Sequence, residues 1–394
     1  MDKIGIAGNY GIDIRSDCKA TIELKKSGGL KIELISKLKA YFGDKIEALI
    51  KDELKFFGIK NAKFKLEDSG ALDFVIAARI EAAVKKVIAS DKDYLLKIIP
   101  QNTDQSGKER PRRSRLYLPG NTPKLSLNAG IHKPDCIILD LEDSVAPDKK
   151  MEAAILVRNT LRSVNFYGAE RAVRINQLPV GLQDMEHVVP ASVNLILIPK
   201  AETVEQIKAV QEKITQIQKA QKLKYQIWLM PIIESALGVI NSYKIAACEN
   251  VIALAIGLED YTADIGTQRT AKGTESLFAR TQVVNSAKAA KIQAIDSVFS
   301  DVNDMDALKQ NVLTSKALGF DGMGCIHPRQ IKVIHENFAP DKAELEKAQK
   351  IVDAFEAAKE KGLGVVSLGS KMIDPPVVKR AIQTLEMAKL RGEL

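Results

Sequence analysis

The chain has 394 residues, 45% hydrophobic and 27% charged, which is enough for one barrel-sized domain and a small companion. No apolar run reaches the roughly eighteen residues of a membrane span, and Met1-Asp2-Lys3-Ile4-Gly5 does not read as a cleavable leader, so a soluble, cytoplasmic protein with no membrane partner is expected. The formal charge of +8 is spread mostly as lysine, and the dense cluster Arg110-Pro111-Arg112-Arg113-Ser114-Arg115 lacks aromatic interleaving; this argues against nucleic acid and suits an anionic, phosphate-bearing substrate or carrier.

Residues 1–98 read as a small α+β unit. Cys18-Lys19-Ala20-Thr21-Ile22-Glu23-Leu24 alternates like a half-exposed strand, and Lys63-Phe64-Lys65-Leu66 is a second. Leu34, Ile35, Leu38, Tyr41, Phe42, Ile46, Leu49 and Ile50 keep helical spacing, and a second helix carrying Ile76, Ile80, Ala83, Val84 and Val87 follows the turn and capping residues of Asp68-Ser69-Gly70-Ala71-Leu72-Asp73. Residues 99–111 are polar and rich in turn formers, as in a linker.

From residue 112 to 394, eight strand-like runs alternate with helical patterns: 116–118, 136–139, 172–175, 195–198, 226–230, 251–256, 293–295 and 322–326. That alternation, without a dinucleotide-binding glycine motif, predicts a closed (β/α)8 barrel rather than an open doubly wound sheet. A long helix at 342–361 and an extension at 363–374 lie beyond it. Cys18, Cys136, Cys248 and Cys325 are too scattered for a disulfide framework or a zinc site and are expected to be reduced thiols.

Two strands end in acid, Ile232-Ile233-Glu234 and Gly257-Leu258-Glu259-Asp260, which would place paired carboxylates at the barrel mouth as ligands for Mg²⁺. One acid after a strand can simply cap the next helix. Here Asp140, Arg174 and Lys200 also stand at the ends of apolar runs, and a ring of charges of both signs points to a site.

Several stretches resemble the citrate lyase β subunit and its relatives, the citramalyl-CoA, malyl-CoA and malate-synthase-like lyases. They are Arg113-Ser114-Arg115-Leu116-Tyr117-Leu118-Pro119-Gly120-Asn121, Leu139-Asp140-Leu141-Glu142-Asp143, Val173-Arg174-Ile175-Asn176, Ile233-Glu234-Ser235-Ala236-Leu237-Gly238, Gly257-Leu258-Glu259-Asp260-Tyr261, and 362–368 through Lys371-Met372-Ile373-Asp374. The stretch Asp68 to Ala82 is similar to the citrate lyase γ subunit, an acyl carrier protein, so the chain looks like a fusion of the two subunits. The family attaches a phosphoribosyl-dephospho-CoA arm to a serine in Gly-Thr-Leu-Glu-Ser-x-Asp. This chain reads Ile14-Arg15-Ser16-Asp17-Cys18, with the glutamate missing and the serine displaced by one position, so Ser16 is the candidate attachment point and a plain turn serine is its alternative.

The resemblance implies a Mg²⁺-dependent lyase that cleaves citryl thioester to oxaloacetate and acetyl thioester by retro-Claisen chemistry. Glu234 and Asp260 would hold the metal, Arg174 would face the enolate oxygen, and Asp374, on a tail reaching a neighbouring subunit, would be the acid. Asp140 and Glu142 either orient metal waters or cap a helix, and Lys200 either contacts a substrate carboxylate or phosphate or does not. Pro375-Pro376 is expected to hold the tail extended, and the oligomer to be a ring, a trimer by resemblance, with a separate α subunit as acyl transferase. A citramalyl- or malyl-thioester lyase, and a non-catalytic carrier or docking scaffold, are the other readings.

Overall fold

The computed structural model describes residues 3–360, 366–368 and 371–390. In the small domain, β1 (Ile4–Gly8), β2 (Cys18–Leu24), β3 (Leu30–Ser36) and β4 (Ala62–Asp68) form one sheet in the order β1-β2-β4-β3, packed by α1 (Lys39–Phe56) and α2 (Asp73–Lys85). Leu34 and Ile35, expected on a helix, are in β3, which pairs in parallel with β4; their apolar spacing fits either period until the sheet partner decides it.

The barrel strands are β5 (Ser114–Pro119), β6 (Cys136–Asp140), β7 (Glu170–Arg174), β8 (Leu195–Ile198), β9 (Trp228–Ile233), β10 (Ala253–Ile256), β11 (Gln293–Asp296) and β12 (Gly322–Cys325). All neighbours are parallel, and β12 pairs with β5 to close the ring. The helices between and after them are α3 (Pro123–Ser126), α4 (Lys150–Ser163), α5 (Gly181–Val188), α6 (Val204–Gln221), α7 (Ala236–Ala246), α8 (Leu258–Asp264), α9 (Leu277–Ala289), α10 (Met305–Leu318) and α11 (Arg329–Phe338). Alternate strand residues divide the core. Leu116, Leu139, Val173 and Ile196 face the helices, whereas Ile138, Ala172, Leu197, Ile232 and Ala255 fill the barrel interior.

The small domain rests on α4. Every residue of α2 from Phe74 to Val84 is buried, because the helix is covered by its own sheet and by α4. The segment read as a linker is also fastened to the barrel. Asn102 donates to Leu161 O and Val164 O, Ser106 O accepts from Trp228 Nε1 at 2.7 Å, and Arg112 forks onto Glu170 at 2.7 Å through both Nε and Nη2. Its polar residues are there to satisfy groups at the barrel's N-terminal end, which a composition-based reading takes for solvation.

After the barrel, α12 (Lys342–Glu360) packs against α13 (Pro375–Leu390), with the short hairpin β13 (Val366–Leu368) and β14 (Lys371–Ile373) between them. Residues 363–365 and 369–370 of the predicted extension lie outside the described residues. Pro375 and Pro376 do not hold an extended tail. They open α13, where a missing N–H costs nothing in the first turn. Among the described residues, no helix is long and apolar enough to cross a membrane.

Candidate active site at the barrel mouth

The inward parity that buries Ile138, Ala172, Ile232 and Ala255 brings Asp140, Arg174, Glu234 and Gly257 to the C-terminal rim, two residues further along each chain. Asp140 and Arg174 are register partners across β6 and β7. Their side chains therefore meet: Arg174 Nε donates to Asp140 Oδ1 at 2.7 Å and Nη2 to Oδ2 at 2.8 Å. Asp140 also accepts from the main-chain N–H groups of Glu142 and Ser144, so the guanidinium plane is held by a carboxylate that is itself fixed. Burial alone would raise the Asp140 pKa, but the Arg174 fork takes it below the usual carboxylate range. The remaining arm of Arg174 lies 2.8 Å from Glu142 and 3.2 Å from Asp143, and the guanidinium sits 5.6 Å from the Tyr117 ring centroid.

Glu234 lies opposite. Its Oε1 accepts from the main-chain N–H of Lys200 at 2.7 Å, and Lys200 adopts φ 45° as its ammonium reaches Asp260 Oδ1 at 3.2 Å. Burial, then the nearby Glu142 and Asp260, push Glu234 up to about 8; burial, with Asp143 adding to it, pushes Glu142 to about 7. Gly257 makes room for this arrangement: a Cβ there would stand 2.4 Å from Glu234 Oε2. A cavity of about 620 Å³ is lined by Tyr117, Asp140, Arg174, Glu234 and Asp260 among others.

Glu234 and Asp260 line the same cavity and are the oxygen donors that a divalent cation would use there. Three carboxylates converge near Arg174 and Lys200, and Lys200 already serves Asp260 as a counter-charge. Among the described residues no group of three or more His, Cys, Asp or Glu side chains is placed to hold a metal ion between them. Two carboxylates with the remaining positions open is the arrangement Mg²⁺ uses when it keeps water and substrate as ligands.

The structure thus brings Asp140, Glu142, Arg174, Lys200, Glu234 and Asp260 to one mouth. It leaves Asp374 away from it. Asp374 caps α13 through Val377 N, and the helix that follows lines a cleft with Ile252 and Gln293, at the N-terminal ends of β10 and β11. Ser16 is in the small domain, half-buried at φ 58°. Arg115 and Tyr117 went unremarked as cavity residues in the sequence; their shared parity on β5 was the available signal, and the surrounding basic cluster concealed it.

The fold is a closed (β/α)8 barrel whose C-terminal mouth is lined by carboxylates and an arginine. Residues 113–328 match the family described as HpcH/HpaI aldolase/citrate lyase, and residues 7–87 match the acyl-carrier family described as malonate decarboxylase delta subunit (MdcD). The chain is 39% identical over 292 residues to citrate lyase subunit beta of Escherichia coli (strain K12), covering 73% of this chain and 97% of that protein. It is 34% identical over 296 residues to mitochondrial citramalyl-CoA lyase of Mus musculus, covering 71% of this chain and 86% of that protein. A crystal structure of CitE from Mycobacterium tuberculosis in complex with magnesium, acetoacetate and coenzyme A superposes with a TM-score of 0.58 at 25% identity, covering 72% of this chain and 100% of that one. The chain belongs to the HpcH/HpaI aldolase/citrate lyase family, and its barrel is that of a lyase.

Proposed function

We propose that the protein is a Mg²⁺-dependent lyase that cleaves citryl thioester, carried on its own N-terminal domain, to oxaloacetate and acetyl thioester. The observation that carries this reading is the convergence of Arg174, Glu234 and Asp260 on one cavity, in a chain that also contains a carrier-like domain. Glu234 and Asp260 would hold Mg²⁺, and when bound the ion supplies Lewis acidity at the substrate hydroxyl. Arg174 lines the cavity with its Nη1 arm beside Glu142 and Asp143, and from there it would meet the thioester oxygen, which gains charge as the carbon–carbon bond breaks. The fork to Asp140 fixes that aim. Lys200 would meet a substrate carboxylate.

Protonation of the acetyl enolate is assigned to Asp374 of a neighbouring subunit in a homotrimer, since the residue's own barrel mouth is at the other end of the molecule. Ser16 would carry the phosphoribosyl-dephospho-CoA arm, and a separate citrate lyase α subunit would exchange acetyl for citryl. Two measurements test these assignments. Intact mass from native cells should show the arm, and its loss in Ser16→Ala should end carrier-dependent turnover while free CoA thioester is still cleaved weakly. Mixing Asp374→Ala with Arg174→Ala protein after subunit exchange should restore activity that neither has alone; no recovery at any ratio refutes a shared site.

A second reading, cleavage of citramalyl or malyl thioester as the free CoA ester, draws on the likeness to citramalyl-CoA lyase. Comparing kcat/KM on citryl-, citramalyl- and malyl-CoA decides between them.

A further inference from the structure

The small domain does not hang from the barrel on a flexible tether. Arg158 of α4 forks onto Glu81 of α2 at 2.9 and 2.7 Å, Asn159 donates to Phe74 O, and Gly8 N donates to Glu152 at the start of α4. These contacts lie along one side of α4. A further tie sits at the mouth end, where Arg79 binds Asp17 with Nε at 2.9 Å and Nη2 at 3.0 Å, and the same Nη2 donates to Asn121 O at 3.1 Å. Asn121 belongs to the loop after β5, and Pro119 of that strand lines the cavity. Asp17 is the residue after Ser16, and both Arg79 and Asp17 are almost wholly buried. Local geometry holds the loop in place as well. Ser16 N donates to Ser69 O, Asn9 donates to Asp17, and a Cβ on Gly8 would collide with Cys18 O and with the Arg79 side chain.

We propose that Arg79 is a positioning residue that fixes the loop of residues 9–17 at the rim of the barrel mouth, so that an acyl group is delivered by movement of an arm while the domain stays docked. This rests on the reading of Ser16 as the arm's attachment point. Ser16, Asp17, Arg79, Asn121 and Pro119 form a continuous path of bonds and hydrogen bonds no longer than about 25 Å when stretched. A pantetheine-type arm rooted at Ser16 therefore starts no more than about 25 Å from a residue that lines the cavity. Docking removes the entropy of a free tether and sets the effective concentration by arm length alone. An arginine suits this position because one planar fork can serve a carboxylate and a main-chain carbonyl together, which an ammonium cannot do in fixed geometry.

The test separates docking from modification. In a Cys248→Ser background, nitroxide labels at Ser16→Cys and Lys219→Cys should give a single narrow distance distribution by pulsed electron spin resonance, and Arg79→Gln should broaden it. Because Arg79→Gln leaves Asp17 buried and unpaired, the neutral pair Arg79→Gln/Asp17→Asn is measured beside it to keep the fold. A broad distribution in the parent protein, or one that neither variant changes, overturns the proposal. Separately, the parent charged with citryl on its own arm should lose at least about tenfold in single-turnover rate on the same substitutions, while kcat/KM for free citryl-CoA stays within about twofold. Equal losses on both substrates overturn the positioning role. An absent arm mass removes the Ser16 reading and with it the delivery step, and the label distances still decide whether the domain is docked.

Discussion

The arginine in the barrel mouth and the arginines beneath the small domain hold carboxylates by the same two-bonded fork, yet the two regions are balanced differently. At the domain interface Arg158 closes on Glu81 and Arg79 on Asp17, all four side chains almost wholly excluded from water. In the mouth Arg174 closes on Asp140 in the same way, but Glu142 stands beside it and Glu234 and Asp260 face the same cavity. Paired buried charges hold packed elements in register, whereas the surplus of carboxylates beside a cavity is what the proposed cation and anionic substrate would draw on.

The largest expected effects come from breaking the unbalanced side. Glu234→Gln or Asp260→Asn should abolish Mg²⁺-dependent cleavage and leave the melting temperature unchanged, and Arg174→Lys should lower kcat by about 100- to 1000-fold, since an ammonium cannot reproduce the fork on Asp140. Turnover near that of the parent protein in any of the three would remove that residue from the mechanism. Breaking the balanced side should act on stability instead. Arg158→Ala removes the fork from Glu81, leaving Lys85 at 3.0 Å as its cation beside the buried Glu53, and is expected to cost about 3 kcal/mol, read from the urea midpoint, whereas Arg158→Met/Glu81→Met should recover most of it.

Two smaller effects sharpen the contrast. Gly257→Ala places a methyl group against Glu234 Oε2 and should weaken Mg²⁺ binding by about 10- to 100-fold with the fold intact; unchanged affinity by calorimetric titration would show that Glu234 is free to move away. Glu53 is buried at the interface, and burial followed by the nearby Glu81 raises its pKa well above the usual carboxylate range. The folded state therefore keeps a proton that the unfolded state releases above its ordinary pKa of about 4.5, so this group's contribution to stability is complete below that pH and is lost as pH rises towards the folded-state value. Glu53→Gln removes the loss. Its melting temperature relative to the parent should climb as pH rises from 5 to 8, and a difference that does not vary with pH would show Glu53 ionised in the folded protein.

The strand ends were legible in the sequence because a buried parallel strand is a short apolar run, and a charge that ends it on the inward parity must face the mouth. This holds for Asp140, Arg174 and Glu234. Lys200 was legible as a charge, but its main-chain bond to Glu234 depends on a left-handed backbone at a non-glycine residue, which composition does not signal. The segment 99–111 misleads for a similar reason: Ser106, Asn102 and Arg112 have the composition of a solvated linker, and only the fold reveals the carboxylate, carbonyl and indole groups that they satisfy. Asp374 is a third case. Its distance in sequence from the barrel says nothing of which mouth it serves, and in the structure it caps its own helix.

If the acidic surplus at the mouth is a metal site for thioester cleavage, oxaloacetate release from citryl-CoA should follow the ion in protein stripped of metal and then given Mg²⁺. No release is expected in EDTA, release should return with stoichiometric Mg²⁺ in the parent protein, and none should appear at any Mg²⁺ concentration in Glu234→Gln. Oxaloacetate appearing at the same rate in EDTA, or in Glu234→Gln with Mg²⁺, would contradict a metal site there.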